Sequence, residues 1–172
     1  LTSPPRAARP PRAPSRAPPP EAGPASTPRL PAAAWVAALS AGGWQHLRNA
    51  RGRIGAGVTQ LEMVGVDDPH LEYDRYAAVA GPADPTTDLT VGVMHAPYQR
   101  VLDAMAADGA RLRIAGHTHG GQLCLPGFGA LVTNCDLDRR RASGLSRWWP
   151  GAGSAPSSAA PDDAAYLEVS AG

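Results

Sequence analysis

The 172-residue chain contains no lysine, one phenylalanine and only two cysteines. Because all 16 basic residues are arginines and the net charge is +1, the composition gives no electrostatic reason to expect nucleic-acid binding. Two cysteines, Cys124 and Cys135, do not make a disulfide framework. The longest apolar stretch, residues 30–39, is too short to span a bilayer, so no membrane span is expected in this chain. Cytoplasm is the default location, and an anchor upstream of the first residue remains open.

Residues 1–30 differ in composition from the rest of the chain. Proline, alanine, serine and arginine dominate this segment, which includes the run Pro18-Pro19-Pro20. Such a sequence cannot bury enough apolar surface to offset its ordering entropy, so we expect a disordered Pro/Arg/Ala-rich tail. The remaining residues, 31–172, suffice for one modest domain.

The most informative motif is Gly-His-Thr-His-Gly-Gly-Gln at residues 116–122, which follows the apolar run 112–115. A strand that ends at Ala115 would present His117 and His119 at its carboxyl end, with Thr118 turned elsewhere. Since neutral imidazole is a common ligand of divalent metals, the pair indicates a metal site. A His-x-His pair taken alone is more often a chance arrangement than a metal site.

A third histidine occupies a similar position on an earlier strand. The apolar run 89–94 predicts a strand, and His95 follows it directly. Between the two motifs, residues 98–107 predict an amphipathic helix whose apolar face includes Val101, Leu102, Met105 and Ala106.

Together these motifs resemble the carboxyl-terminal half of the calcineurin-like metallophosphoesterases. The resemblance rests on Val-Met-His-Ala-Pro at residues 93–97 and on residues 116–122, whose Gly-Gly-Gln ending is similar to the bacterial branch. It implies an α/β fold, namely part of the family's four-layer α/β/β/α sandwich, and it covers residues 31–172.

The resemblance also implies a dinuclear site. By position, His95 and His117 resemble ligands of one metal, and His119 resembles a ligand of the other. Two divalent ions, Mn, Fe, Zn or Mg, would activate a bridging water that hydrolyses a phosphomonoester, phosphodiester or pyrophosphate bond. The implied partner is a phosphorylated small-molecule or lipid-linked substrate, whereas the oligomeric state cannot be read from the sequence.

The family's amino-terminal ligand motifs, Asp-x-His, Gly-Asp-x-x-Asp and Gly-Asn-His, have no convincing counterpart here. Asp68-Pro69-His70 matches Asp-x-His formally, but Asp68 before Pro69 favours an N-cap and a helix over residues 71–79. Asn49 and Asn134 are interpreted as turn residues rather than ligands. The missing motifs leave truncation, a shifted reading frame or genuine loss open as explanations.

Outside the motifs, the sequence predicts helix at 32–41 and strands at 58–66, 120–125 and 164–170, with a linker at 154–161. Arg139, Arg140 and Arg141 are expected in a solvated loop, and Trp148 is expected to cover an apolar surface.

We therefore expect a metallophosphoesterase sequence whose isolated chain is weakly active or inactive, because a bridging carboxylate is missing. The alternative is a non-catalytic remnant or interaction module that holds one metal or none.

Overall fold

The computed structural model describes residues 31–121, 123–125 and 129–171, so the predicted tail at 1–30 lies outside the described residues. The described chain is a mixed α/β structure with two helices and a six-stranded mixed sheet. The elements are α1 (Ala32–Ala41), β1 (Ala50–Ala56), β2 (Thr59–Gly65), β3 (Leu89–Val93), α2 (Gln99–Ala107), β4 (Leu112–Ala115), β5 (Leu123–Leu125), β6 (Gly129–Val132), β7 (Gly144–Trp148) and β8 (Ala165–Val169). None of the helices in these ranges has the length and apolar character that a membrane span needs.

The six strands run in the order β1-β2-β3-β4-β8-β7, and β5 and β6 form a separate antiparallel pair. Strands β2, β3, β4 and β8 are mutually parallel, whereas β1 and β7 pair antiparallel at the two edges. The helix α2 connects β3 to β4, which are parallel neighbours, as crossover helices usually do. This order brings the carboxyl ends of three neighbouring parallel strands, β2, β3 and β4, to one side of the molecule.

One face of the sheet carries the core. The helix α2 buries Val101, Leu102 and Met105, which confirms the predicted apolar face of this helix. Gly92 of β3 lies directly beneath α2, since a Cβ at this position would stand 2.4 Å from the Met105 sulfur. Buried residues of the same core cluster include Val64, Met94, Ala115, Leu137, Trp148, Leu167 and Val169.

Two arginines, Arg113 and Arg141, are buried. Arg113 is fully buried and donates to the carbonyls of Ala110 and Trp148, and burial lowers its pKa to about 10. Arg141 is also buried, with its guanidinium 5.2 Å from the Trp148 ring centroid. The prediction that residues 139–141 form a solvated loop is therefore wrong for Arg141, whose guanidinium donates to three backbone carbonyls.

The opposite face of the sheet leaves apolar side chains uncovered. Ile114 pairs with Glu168, which pairs in turn with Leu145, so these three side chains point to the same face across β4, β8 and β7. Ile114 is 39% exposed, Leu145 is 65% exposed, and Tyr166 on the same face is 45% exposed.

Several predicted elements differ from the structure. Residues 71–79 were expected to be helical, but only Tyr76–Ala78 form a short 3-10 helix. Asp68 still accepts a hydrogen bond from the His70 backbone N–H, as a cap would, although no helix follows it. The strands β1 and β7 were not predicted, because glycine, arginine and serine interrupt their apolar pattern.

Candidate functional site

The candidate site lies at the carboxyl ends of three adjacent parallel strands. His70 follows β2 by five residues, while His95 follows β3 and His117 follows β4 by two residues each. The ends of these strands are tied together, since Val66 donates to the Val93 carbonyl and Gly116 donates to the His95 carbonyl. In parallel sheets this edge is where ligands usually bind, because the loops that follow neighbouring strands converge there.

His95 and His117 are in direct contact. The Nε2 atom of His95 lies 3.1 Å from the Nδ1 atom of His117, and the ring centroids are 4.9 Å apart. Two nitrogens bound to one zinc ion at about 2.0–2.1 Å stand about 2.9 Å apart at a right angle and about 3.3 Å apart in tetrahedral geometry. The observed separation therefore suits two ligands of a single metal ion.

The surroundings of His117 favour the neutral, ligating form of its ring. Burial lowers the pKa of His117, and the closeness of two other imidazoles, His70 and His95, lowers it further. The Asn134 backbone and the Asp68 carboxylate act in the opposite direction without outweighing these effects. His117 Nε2 is buried without a hydrogen-bond partner.

The backbone of the His-x-His segment is unusual. His117 has φ 70° and His119 has φ 52°, so both adopt left-handed conformations that cost energy for residues other than glycine. Thr118 between them is fully buried, and its hydroxyl donates to the Ala142 carbonyl at 2.5 Å. This hydrogen bond confirms that the Thr118 side chain turns away from the two histidines. It also anchors the loop to the backbone at Ala142.

His119 makes no direct contact with the other two predicted ligands among the described residues. Its side chain is exposed, and within the described ranges no hydrogen bond or ring contact joins it to His95 or His117. Nor do the described residues contain a group of three or more His, Cys, Asp or Glu side chains already arranged to hold a metal.

His70 is the residue that sequence reasoning set aside and the structure brings to the site. Its ring centroid lies 4.5 Å from that of His117, and its Nδ1 lies 3.1 Å from the Tyr98 hydroxyl. The only signal in the sequence was the formal Asp-x-His match at residues 68–70, which the structure shows to be a turn that brings the His70 ring against His117.

Two clamps hold the loop that carries His70. The Asn49 side-chain oxygen accepts hydrogen bonds from the backbone N–H groups of Asp67 and Arg75, at 3.0 and 2.8 Å. On the other side, Arg100 of α2 pairs with Asp74, whose side chain is 3% exposed, and also donates to the Pro69 carbonyl. Asn49 lies in a turn, as predicted, with φ 49°.

The second predicted turn residue, Asn134, lies in a bend after β6 and directs its carbonyl toward the site. Cys135 beside it is a free thiol, and the side chain of Cys124 lies outside the described residues.

Comparisons of the chain with family models, with curated proteins and with solved structures find no match.

Proposed function

We propose that this chain carries part of the metal centre of a phosphoesterase, with His95 and His117 binding one divalent ion and His119 available to a second. The observation that supports this proposal is the 3.1 Å contact between His95 and His117 at the ends of adjacent parallel strands. A metal bound there supplies a Lewis acid and an activated water for attack on phosphorus. The reaction would be hydrolysis of a phosphomonoester, phosphodiester or pyrophosphate bond in a small-molecule or lipid-linked substrate.

The protein's own part is to orient the imidazoles and keep them neutral. Burial depresses the pKa of His117, so its ring is unprotonated near neutral pH. The buried Thr118 hydroxyl fixes the backbone between His117 and His119. No carboxylate joins the histidines among the residues described, so the charge of two dications would be poorly compensated. We therefore expect slow turnover from the chain alone.

We further propose that the sheet belongs to a four-layer α/β/β/α sandwich. The exposed side chains of Ile114, Leu145 and Tyr166 support this proposal, because apolar groups on a sheet face are stabilised when a second layer covers them. The same face also carries Glu168, between Ile114 and Leu145, and Arg147, over the Tyr166 ring. The core face is already covered by α2, so a second sheet would pack on the opposite side.

The test is hydrolysis of p-nitrophenyl phosphate and bis-p-nitrophenyl phosphate by the purified chain, with Mn²⁺, Zn²⁺ or Mg²⁺ added. We expect slow turnover that requires metal, that His117→Ala abolishes, and that His46→Ala leaves intact. His46 is the control because it is an exposed histidine outside the proposed ligand set. Turnover that survives His117→Ala would contradict the proposal, and metal binding without turnover would favour a non-catalytic module.

A further inference from the structure

We infer that His70 is a third protein ligand of the metal held by His95 and His117, so that the chain binds one transition-metal ion through three imidazoles. The inference rests on the proposed function only for the His95 and His117 pair. It adds a residue from a loop that the sequence motifs do not mark, and it replaces a two-ligand arrangement with a complete three-ligand set.

The first argument is the spacing of the rings. An imidazole bound to zinc has its centroid about 3.2 Å from the metal, so two such rings have centroids about 4.5–5.2 Å apart for angles between 90° and tetrahedral. The His70 and His117 centroids are 4.5 Å apart, and those of His95 and His117 are 4.9 Å apart. His117 therefore stands between two rings at distances that ligands of one ion have.

The second argument is the hydrogen bonding of His70. The Tyr98 hydroxyl lies 3.1 Å from His70 Nδ1 and 3.5 Å from the Asn134 carbonyl oxygen. When His70 Nδ1–H donates to the hydroxyl, the proton of the neutral ring is on Nδ1 and the lone pair is on Nε2. Metal-bound histidines are commonly held in this way by an outer hydrogen bond that selects the tautomer.

The third argument is that hydrogen bonds fix the backbone of the loop that carries His70. The Asp68 carboxylate accepts from the His70 N–H at 2.8 Å, and Pro69 is fully buried. Asn49 and Arg100 clamp the two sides of the same loop. The backbone of His70 is thus fixed, and its exposed side chain is held at the site by the Tyr98 contact.

The 3.1 Å contact between His95 and His117 is a hydrogen bond, so one of the two facing nitrogens carries a proton. For a metal to bind there, that proton would leave to solvent and the same ring would take up a proton on its other nitrogen. Both rings would then remain neutral ligands, and the His70 ring would close on the same ion.

Three neutral nitrogen ligands define the class of metal. Imidazole suits Zn²⁺, Co²⁺, Ni²⁺ and Cu²⁺, whereas Mg²⁺ and Ca²⁺ require oxygen ligands. Three histidines leave a fourth position for water, as catalytic zinc sites do.

The experiment is Co²⁺ binding by the full chain after removal of metal with a chelator, followed by its visible absorption and by competition with a chromophoric chelator. We expect one Co²⁺ per chain. His70→Ala should weaken binding more than about 100-fold and change the absorption bands, and Tyr98→Phe should weaken it about 10- to 100-fold, as loss of an outer-shell partner does. The control variant, His46→Ala, should bind like the unaltered chain.

The outcomes separate the two proposals. One outcome is that His117→Ala abolishes Co²⁺ binding while His70→Ala and Tyr98→Phe leave the affinity unchanged. This outcome would overturn the role of His70 and keep the proposed pair of His95 and His117. Absence of Co²⁺ binding by the unaltered chain would overturn both. Circular dichroism of each metal-free variant reports its fold, and if His70→Ala does not fold, the spectrum and affinity of Tyr98→Phe decide.

Discussion

Asp103, in the middle of α2, accepts a hydrogen bond from the indole nitrogen of Trp148 at 2.9 Å. The second carboxylate oxygen of Asp103 accepts from the Gly151 backbone N–H at 3.2 Å. Trp148 is fully buried and ends the edge strand β7. One carboxylate thereby joins the helix that precedes β4 to the far edge of the sheet.

Replacement of Asp103 by alanine should therefore destabilise the fold. The buried indole N–H would lose its partner, which typically costs about 1–3 kcal/mol. Urea unfolding followed by tryptophan fluorescence measures the change in the free energy of unfolding. Asp103→Asn, which can still accept from Trp148, should cost less than Asp103→Ala, and equal losses would contradict this explanation.

Acid should weaken the edge of the sheet through Glu62. Burial alone would raise the pKa of Glu62, but hydrogen bonds from the Asp84 backbone, Thr90 and Arg51 outweigh it and lower the pKa below its ordinary 4.5. A carboxylate with a lowered pKa stabilises the fold fully above its unfolded pKa, and this stabilisation is lost as pH falls through the folded value. Unfolding measured from pH 6 to pH 3 should show a drop that Glu62→Gln flattens; an unchanged slope in the variant would exclude Glu62 as the cause.

Variants of Asn49 are expected to lose stability in a definite order. Asn49→Ala removes the acceptor of two backbone N–H groups and places alanine at φ 49°, so we expect a loss of about 2–4 kcal/mol. Asn49→Gly loses the same hydrogen bonds without the conformational cost and should be about 1 kcal/mol better than alanine. Asn49→Asp keeps the acceptor and should be the mildest. Chemical denaturation tests the order, and glycine falling below alanine would contradict it.

Thr118 offers a prediction within the site loop. Thr118→Val keeps the shape but leaves the buried Ala142 carbonyl without its donor, at a cost of about 1–3 kcal/mol. Because the hydroxyl anchors the backbone between His117 and His119, Co²⁺ affinity should fall as well. Thr118→Ser retains the hydroxyl and should preserve affinity. Weak binding by the serine variant and normal binding by the valine variant would rule out the anchor.

The sequence predicted those helices and strands in which apolar residues recur at regular spacing and a turn residue marks the end. The helix α2 matched its predicted buried face at Val101, Leu102 and Met105, and β3, β4 and β8 matched to within a residue or two. The helix expected at 71–79 failed because tertiary contacts decide that segment: Asn49 and Arg100 hold its backbone in an irregular loop.

The sequence predicted only part of the candidate site. His95 and His117 each lie two residues beyond the end of an apolar strand, so their meeting could be predicted from parallel pairing. Four irregular residues separate His70 from β2, and nothing in the chain pattern specifies where such a loop returns. Arg141 was misassigned for a related reason, since an arginine triplet does not reveal that one member stacks on Trp148.

The left-handed backbone at His117 and His119 has an energetic cost that glycine would avoid. A design that maximised stability alone would place glycine at both positions and lose both imidazoles. Under the proposed metal-binding function, stability and ligand binding therefore favour different residues at the same two positions.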